Sequence, residues 1–253
     1  MLIRLRNSLG RFLCATFVTL LLIGLTIISS LKQMELSSKE QIQSPYNIAN
    51  SVPTESQIAI SRSRNSAVNV MSISEEGYVS SSSGTYIKFN DRYYIITVGH
   101  GIIGGCDSIR IVTEGGMHEC VEMSLVDHQT DYAIMEVGPI LDRDAIRIPR
   151  SYPRPNQWHQ RLAIQSGTYY TGYPNGLGRL TFGGTIAGHD SYENVYVHSF
   201  AWPGSSGSGV FSDSGDLIGI VVAISVGATE FGVDVLEDIV IVVPLYKINW
   251  NML

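Results

Sequence analysis

The chain has 253 residues, a formal net charge of −6 and a hydrophobic fraction of 44%, enough to build a sizeable core in one large β-rich domain or about two smaller ones. A mildly acidic balance with scattered Lys and Arg argues against a nucleic-acid partner. No P-loop, HExxH helix or CxxC pair is present, so nucleotide and zinc chemistry have no foothold, and neither a metal nor a cofactor is expected.

Arg4, Arg6 and Arg11 precede an apolar run from Phe12 to Ile28 that Leu31 extends, and no charge follows until Lys32. Residues 1–11 read as a basic segment and 12–31 as a transmembrane signal anchor, because about 20 apolar residues cross a bilayer core. The positive flank places the N-terminus in the cytosol and the bulk of the chain on the non-cytoplasmic side, with the membrane as a partner. The alternative is a cleaved secretory signal, which puts the mature chain in the same compartment. The length of the run and the lack of an Ala-x-Ala site favour the anchor.

Residues 32–66 are polar, rich in Ser, Gln and Glu, with Pro45 and Pro53, and read as a linker in which Arg62 and Arg64 are open to proteolysis. From residue 67 the character changes to short β-branched and aromatic runs separated by turn residues. The first series covers 68–73, 85–89, 92–97, 108–113, 118–125 and 132–137, with Asn90-Asp91 as a tight hairpin turn. A proline-rich stretch from Arg147 to Gln160 separates it from a second series at 161–165, 168–172, 179–187, 194–198, 208–211, 217–224 and 239–243. Two sets of short strands predict an all-β architecture of two packed barrels, 67–150 and 151–253, with no helix longer than about two turns outside the N-terminal span. Of the three cysteines, Cys14 lies in the apolar run. Cys106 and Cys120 flank a hairpin, where a disulfide and two buried thiols are both compatible with the sequence.

The segment Pro203-Gly204-Ser205-Ser206-Gly207-Ser208-Gly209 surrounds one serine with small residues and leads into an apolar strand. A nucleophilic serine needs such a backbone, because glycine permits tight turns and close approach of amides to a developing oxyanion. Serine also needs a base, and the base an orienting acid. Among six histidines, His100 stands at the end of the apolar run Tyr94-Ile95-Ile96-Thr97-Val98-Gly99, whereas the other five lie in polar or alternating contexts. Asp131 opens the apolar run Tyr132-Ala133-Ile134-Met135, where an acid requires a partner. Asp127, Asp142 and Asp144 read as solvated alternatives.

Together these segments resemble the chymotrypsin-like (trypsin-like) serine proteases over roughly residues 70–245. Thr97-Val98-Gly99-His100, Asp131-Tyr132-Ala133-Ile134 and Gly204-Ser205-Ser206-Gly207-Ser208 are similar to that family's three motifs and occur in its order. Gly172-Tyr173-Pro174-Asn175-Gly176 and Ile241-Val242-Val243-Pro244 bring the style closest to the Deg/HtrA proteases and to compact virus-encoded ones. The resemblance implies two packed antiparallel six-stranded β-barrels and endopeptidase activity on a polypeptide substrate. It gives His100, Asp131 and Ser206 the triad roles and the Gly204, Ser205 and Ser206 segment the oxyanion hole. Val222, Ala223 and Ile224 become the strand that pairs with substrate, and Phe200 the floor of the specificity pocket. Ser205 stands where zymogen-type members carry an aspartate that pairs with a freed N-terminus, so activation by a new terminal amine is not expected. A protease-fold binding module without catalysis is the alternative, and a small or medium apolar residue before the cleaved bond is the expected preference.

Overall fold

The computed structural model describes residues 54–149, 158, 161–229 and 232–253, apart from the side chains of 224–229 and 232–237. The first set of strands is β1 (Ala67–Ile73), β2 (Val79–Phe89), β3 (Arg92–Thr97), β4 (Ile109–Thr113), β5 (Gly116–Asp127), β6 (Tyr132–Val137) and the short β7 (Ile146–Arg147). They follow the order β1-β4-β5-β6-β3-β2-β7, and a further pairing of β1 with β2 closes six of them into a barrel. Strand alternation sets the inside, as in β4, where Ile109 and Ile111 are buried while Arg110 and Val112 are only half-buried. Asn90 and Asp91 adopt φ of 47° and 65°, the left-handed pair that a two-residue hairpin requires.

The second set is β8 (Gly167–Gly172), β9 (Leu180–His189), β10 (Val195–His198), β11 (Gly209–Ser212), β12 (Leu217–Thr229) and β13 (Gly232–Pro244), a closed barrel in the order β10-β13-β12-β11-β8-β9. Tyr170, Ile186, Val197, Val210 and Val242 fill it. A third apolar cluster lies between the barrels and joins Ile87, Phe89 and Tyr132 to Phe211, Leu217 and Val243. The two barrels of the sequence expectation are therefore present as antiparallel six-stranded closures, with β7 added in parallel to β2.

Three local expectations need correction. Residues 161–165 are a turn, not a strand: Leu162 N–H bonds back to Trp158 O at 2.9 Å and Gln165 sits at φ 71°. β2 begins at Val79, well before residue 85, because its serine-rich first half is paired with β1 from Val79↔Ile73 onward. Most consequential, Glu55–Ser66, read as linker, is an α-helix of 12 residues, here α1. Thr54 and Gln57 form a reciprocal capping box, a signal present in the sequence. The face α1 buries is made of Ala59, Ser63 and Ser66, too small and polar to register as a hydrophobic stripe. Ser63 Oγ donates to Thr171 Oγ1 at 2.8 Å and Asn65 Nδ2 to Asp144 Oδ2 at 2.9 Å, so α1 touches both barrels. Arg62 and Arg64 thus lie in a docked helix, not in the extended form a protease accepts as a substrate strand.

Among the described residues no helix is long and apolar enough to cross a membrane. The expected basic segment, the span at 12–31 and linker residues 32–53 lie outside them, as does Cys14.

Candidate active site

Strand β3 carries the chain through the first barrel wall to His100. Gly99 lies close against the acid on the way: a Cβ there would come within 3.3 Å of Asp131 Oδ1, a tight contact. The His100 N–H donates to Asp131 Oδ1 at 2.8 Å, and His100 Nδ1 meets Asp131 Oδ2 at 2.6 Å, a two-point contact that fixes the ring. This hydrogen bond holds the imidazole pKa above its ordinary value against the opposing effect of burial, and the charge of Asp131 adds to it. The His100 side chain stays 53% exposed, which leaves it accessible to a bound peptide.

Asp131 occupies the left-handed region at φ 59°, at the end of a turn built by Asp127. Asp127 Oδ1 accepts from the N–H groups of Gln129 (2.8 Å) and Thr130 (3.0 Å), and Oδ2 from the Thr130 hydroxyl (3.2 Å). Those bonds, the Thr130 amide foremost, lower the Asp127 pKa. Asp127 is therefore the architect of the turn that presents Asp131, not a solvated bystander. Asp142 and Asp144 are likewise engaged, Asp142 with Thr113 Oγ1, the Gly115 amide and the buried Arg143, and Asp144 with α1.

The loop of Ser206 is pinned against the first barrel. Gly204 and Gly207 take φ of 92° and 90°. A Cβ on Gly207 would lie 1.9 Å from Ser83 O and 2.6 Å from Thr97 Oγ1, so the loop rests on β2 and on the end of β3, three residues before His100. Ser83 holds it at two points: its N–H donates to Ser206 O at 2.8 Å and its Oγ to Gly204 O at 2.7 Å, while Oγ also accepts from Tyr173 N–H at 2.8 Å. Nothing in the serine run 80–83 distinguished this residue in the sequence. Its importance comes from the docking of one barrel on the other.

The three residues expected at the oxyanion hole separate. Ser205 is buried, and its N–H is used by Trp202 O at 2.9 Å. The Gly204 and Ser206 amides make no hydrogen bond within the described residues and are free to serve a ligand oxygen. The Ser206 hydroxyl is similarly unengaged within those residues, as is common before substrate tightens such contacts.

On the substrate side, Val222 is buried, Ala223 is exposed and the Ile224 side chain lies outside the described set. Gly207 N–H bonds Val221 O at 2.7 Å and Val221 N–H bonds Ser208 O at 2.9 Å, the last ties between β12 and the Ser206 side. From Val222 on, β12 pairs only with β13 among the described residues, through Ala223↔Ile241 and Ile224↔Val240, with a register shift at Val222. An open strand edge thus begins beside the serine loop, a ready partner for an added strand. Phe200, expected as the floor of the specificity pocket, is 59% exposed, and the buried ring beneath that segment is Tyr170, whose hydroxyl donates to Phe200 O.

Residues 82–220, more than half the chain, match the trypsin-like peptidase domain, and the chain belongs to that family. Its structure is similar to the serine endoprotease from Yersinia pestis (TM-score 0.56, 24% identity, 77% of this chain and 64% of that one). It is also similar to the HtrA-type protease AlgW with tripeptide (TM-score 0.57, 20% identity, 76% of this chain and 60% of that one). The chain spans less than two thirds of either, and the likeness at these identities is one of fold. No curated protein sequence matches.

Proposed function

We propose that the chain is a membrane-tethered serine endopeptidase that hydrolyses peptide bonds through an acyl-enzyme. The observation that carries the reading is the two-point clasp of His100 by Asp131 beside a Ser206 loop whose Gly204 and Ser206 amides are unspent. Ser206 Oγ attacks the scissile carbonyl, and His100 takes its proton and returns it to the leaving amine. Asp131 fixes the imidazole tautomer and stabilises the imidazolium. The Gly204 and Ser206 amides stabilise the oxyanion, the electrostatic contribution that dominates such catalysis. The substrate backbone pairs with β12 at Val222–Ile224.

The basic flank and the apolar run 12–31 support a single-pass anchor with the peptidase on the non-cytoplasmic side. The disulfide between Cys106 and Cys120 supports the same placement, since such bonds persist in oxidising compartments.

The test is labelling of the full-length chain in detergent with a fluorophosphonate, beside Ser206→Ala. Labelling that disappears in the variant is expected. A folded wild-type chain that takes no label would instead favour a protease-fold binding module.

A further inference from the structure

Beneath the Ser206 loop stands a large phenol that none of the catalytic roles above uses. Tyr170, on β8, is 2% exposed, stacks on Phe182 with ring centroids 5.1 Å apart, and Phe182 in turn meets the edge of Trp202 at 5.8 Å. Its hydroxyl donates to the carbonyl of Phe200 and stands beside Ser199 and Ser205. A buried tyrosine hydroxyl must find a partner, and here the partner is main chain of the loop that leads to the nucleophile.

Main-chain bonds hold the two ends of the segment, Ser199 N–H to Asp238 O at 3.0 Å and Asn175 N–H to Pro203 O at 2.7 Å, while Phe200 O, between them, is met by the Tyr170 hydroxyl. The Ser205 hydroxyl accepts from Trp202 N–H at 3.2 Å, and the Ser199 hydroxyl donates to Gly183 O at 3.1 Å. The buried side chains of Ser199, Ala201 and Ser205 are all uncharged. Burial pushes the Tyr170 phenol far above its ordinary pKa, while the neighbouring Ser205 and Ser199 hydroxyls act in the other direction, so the phenol stays a donor across the working range of a histidine base.

We infer that Tyr170 is a positioning residue for the reaction proposed above: its hydroxyl, bonded to Phe200 O, sets the Ser199–Ser206 segment so that the Gly204 and Ser206 amides converge on one oxygen. The inference rests on the peptidase reading. It assigns to a neutral internal hydroxyl the support that a charged pair with a liberated N-terminus would give, so the oxyanion site forms without prior cleavage. Donor geometry at such a site governs rate steeply, and a displacement of about 1 Å costs on the order of a hundredfold.

The experiment compares wild type, Tyr170→Phe, Ile111→Val and Ser206→Ala as full-length chains, reading the fluorophosphonate rate constant kinact, the inhibitor constant KI, the labelled amplitude and Tm. Tyr170→Phe keeps the ring and its stacking, and is expected to lower kinact about tenfold or more with KI and amplitude near wild type. Ile111→Val, in the separate core of the first barrel, is expected to lower Tm and leave kinact unchanged, because it loosens packing away from the Ser206 loop. Replacement of Tyr170 by 4-aminophenylalanine restores a donor and is expected to recover most of the rate. A merely structural role would lower Tm and amplitude but not the kinact of the folded fraction. Unchanged kinact in Tyr170→Phe, or no recovery with the amine, overturns the inference while wild-type labelling leaves the peptidase reading intact. Failure of the folded wild type to label overturns the peptidase reading itself.

Discussion

Ser83→Ala isolates the bond between the barrels from the chemistry it serves. The substitution removes one oxygen and leaves the Ser83 N–H bond to Ser206 O, 2.8 Å, untouched. Two main-chain groups lose their partner: the Gly204 carbonyl, 2.7 Å from the hydroxyl, and the Tyr173 amide, 2.8 Å from it. A buried polar group left unmet costs about 1–3 kcal/mol, so the pair costs about 2–6 kcal/mol. For a domain of this size each kcal/mol moves Tm by about 2–4 °C, which predicts a fall of about 4–24 °C. The rate should fall as well. With its carbonyl released, the Gly204–Ser205 peptide plane keeps only the Ser205 N–H bond to Trp202 O, and Gly204, whose own N–H in the preceding plane is one of the two oxyanion donors in the proposed mechanism, can shift with it. The expected loss in fluorophosphonate labelling is on the order of ten- to a hundredfold, read as kinact on the folded fraction. A lowered Tm with unchanged kinact would refute the claim that Ser83 aligns the loop. No change in either would refute the account of the inter-barrel contact altogether.

Asp131→Asn should slow labelling by about 10⁴-fold, because the imidazole loses the acceptor that selects its tautomer, and should move the acid limb of the pH–rate profile downward. In wild type that limb should lie above the ordinary histidine value of about 6.5, since the raised His100 pKa keeps the base protonated longer. The accompanying stability follows the opposite sense. The contact favours the protonated ring, so its contribution is full below the unfolded histidine pKa and is lost as pH rises through the folded one. Denaturation of wild type against His100→Gln from pH 5 to 9 measures it, and a difference that grows with pH would contradict the assignment. Reduction of Cys106–Cys120, 14 residues apart, should cost about 3 kcal/mol of stability in guanidinium unfolding, and equal midpoints with and without reductant would show that the bridge constrains little. Gly207→Ala should abolish labelling and destabilise by about 3 kcal/mol or more, because the new methyl meets Ser83 O at 1.9 Å with φ at +90°; a folded, labelling variant would contradict the placement of the loop.

The sequence carried the barrels because strand patterning is local. Alternation in Ile109–Thr113, the Asn90-Asp91 turn and the glycines around Ser206 each record a backbone need that neighbouring residues express. His100 and Asp131 were legible for the same reason, each being a polar residue at the end of an apolar strand, where only a specific partner makes sense. Helix α1 was half legible: its capping box is written at Thr54 and Gln57, but its buried face of Ala and Ser acquires meaning only against β8 and β11. The Phe200 pocket role came only from the family resemblance, and what fills the space beneath Phe200 is decided by Tyr170, 30 residues away on strand β8. Ser83, Asp127 and Tyr170 carry no signal of their own, since a serine in a serine run, an acid in a turn and an aromatic in a strand are ordinary. The sequence by itself thus indicated most of the strands and turns and nominated the three residues proposed for the chemistry, because each is marked by its immediate neighbours along the chain. The tertiary structure alone decided which carbonyls and amides hold the loop of Ser206, because those bonds join the two barrels across more than a hundred positions of chain.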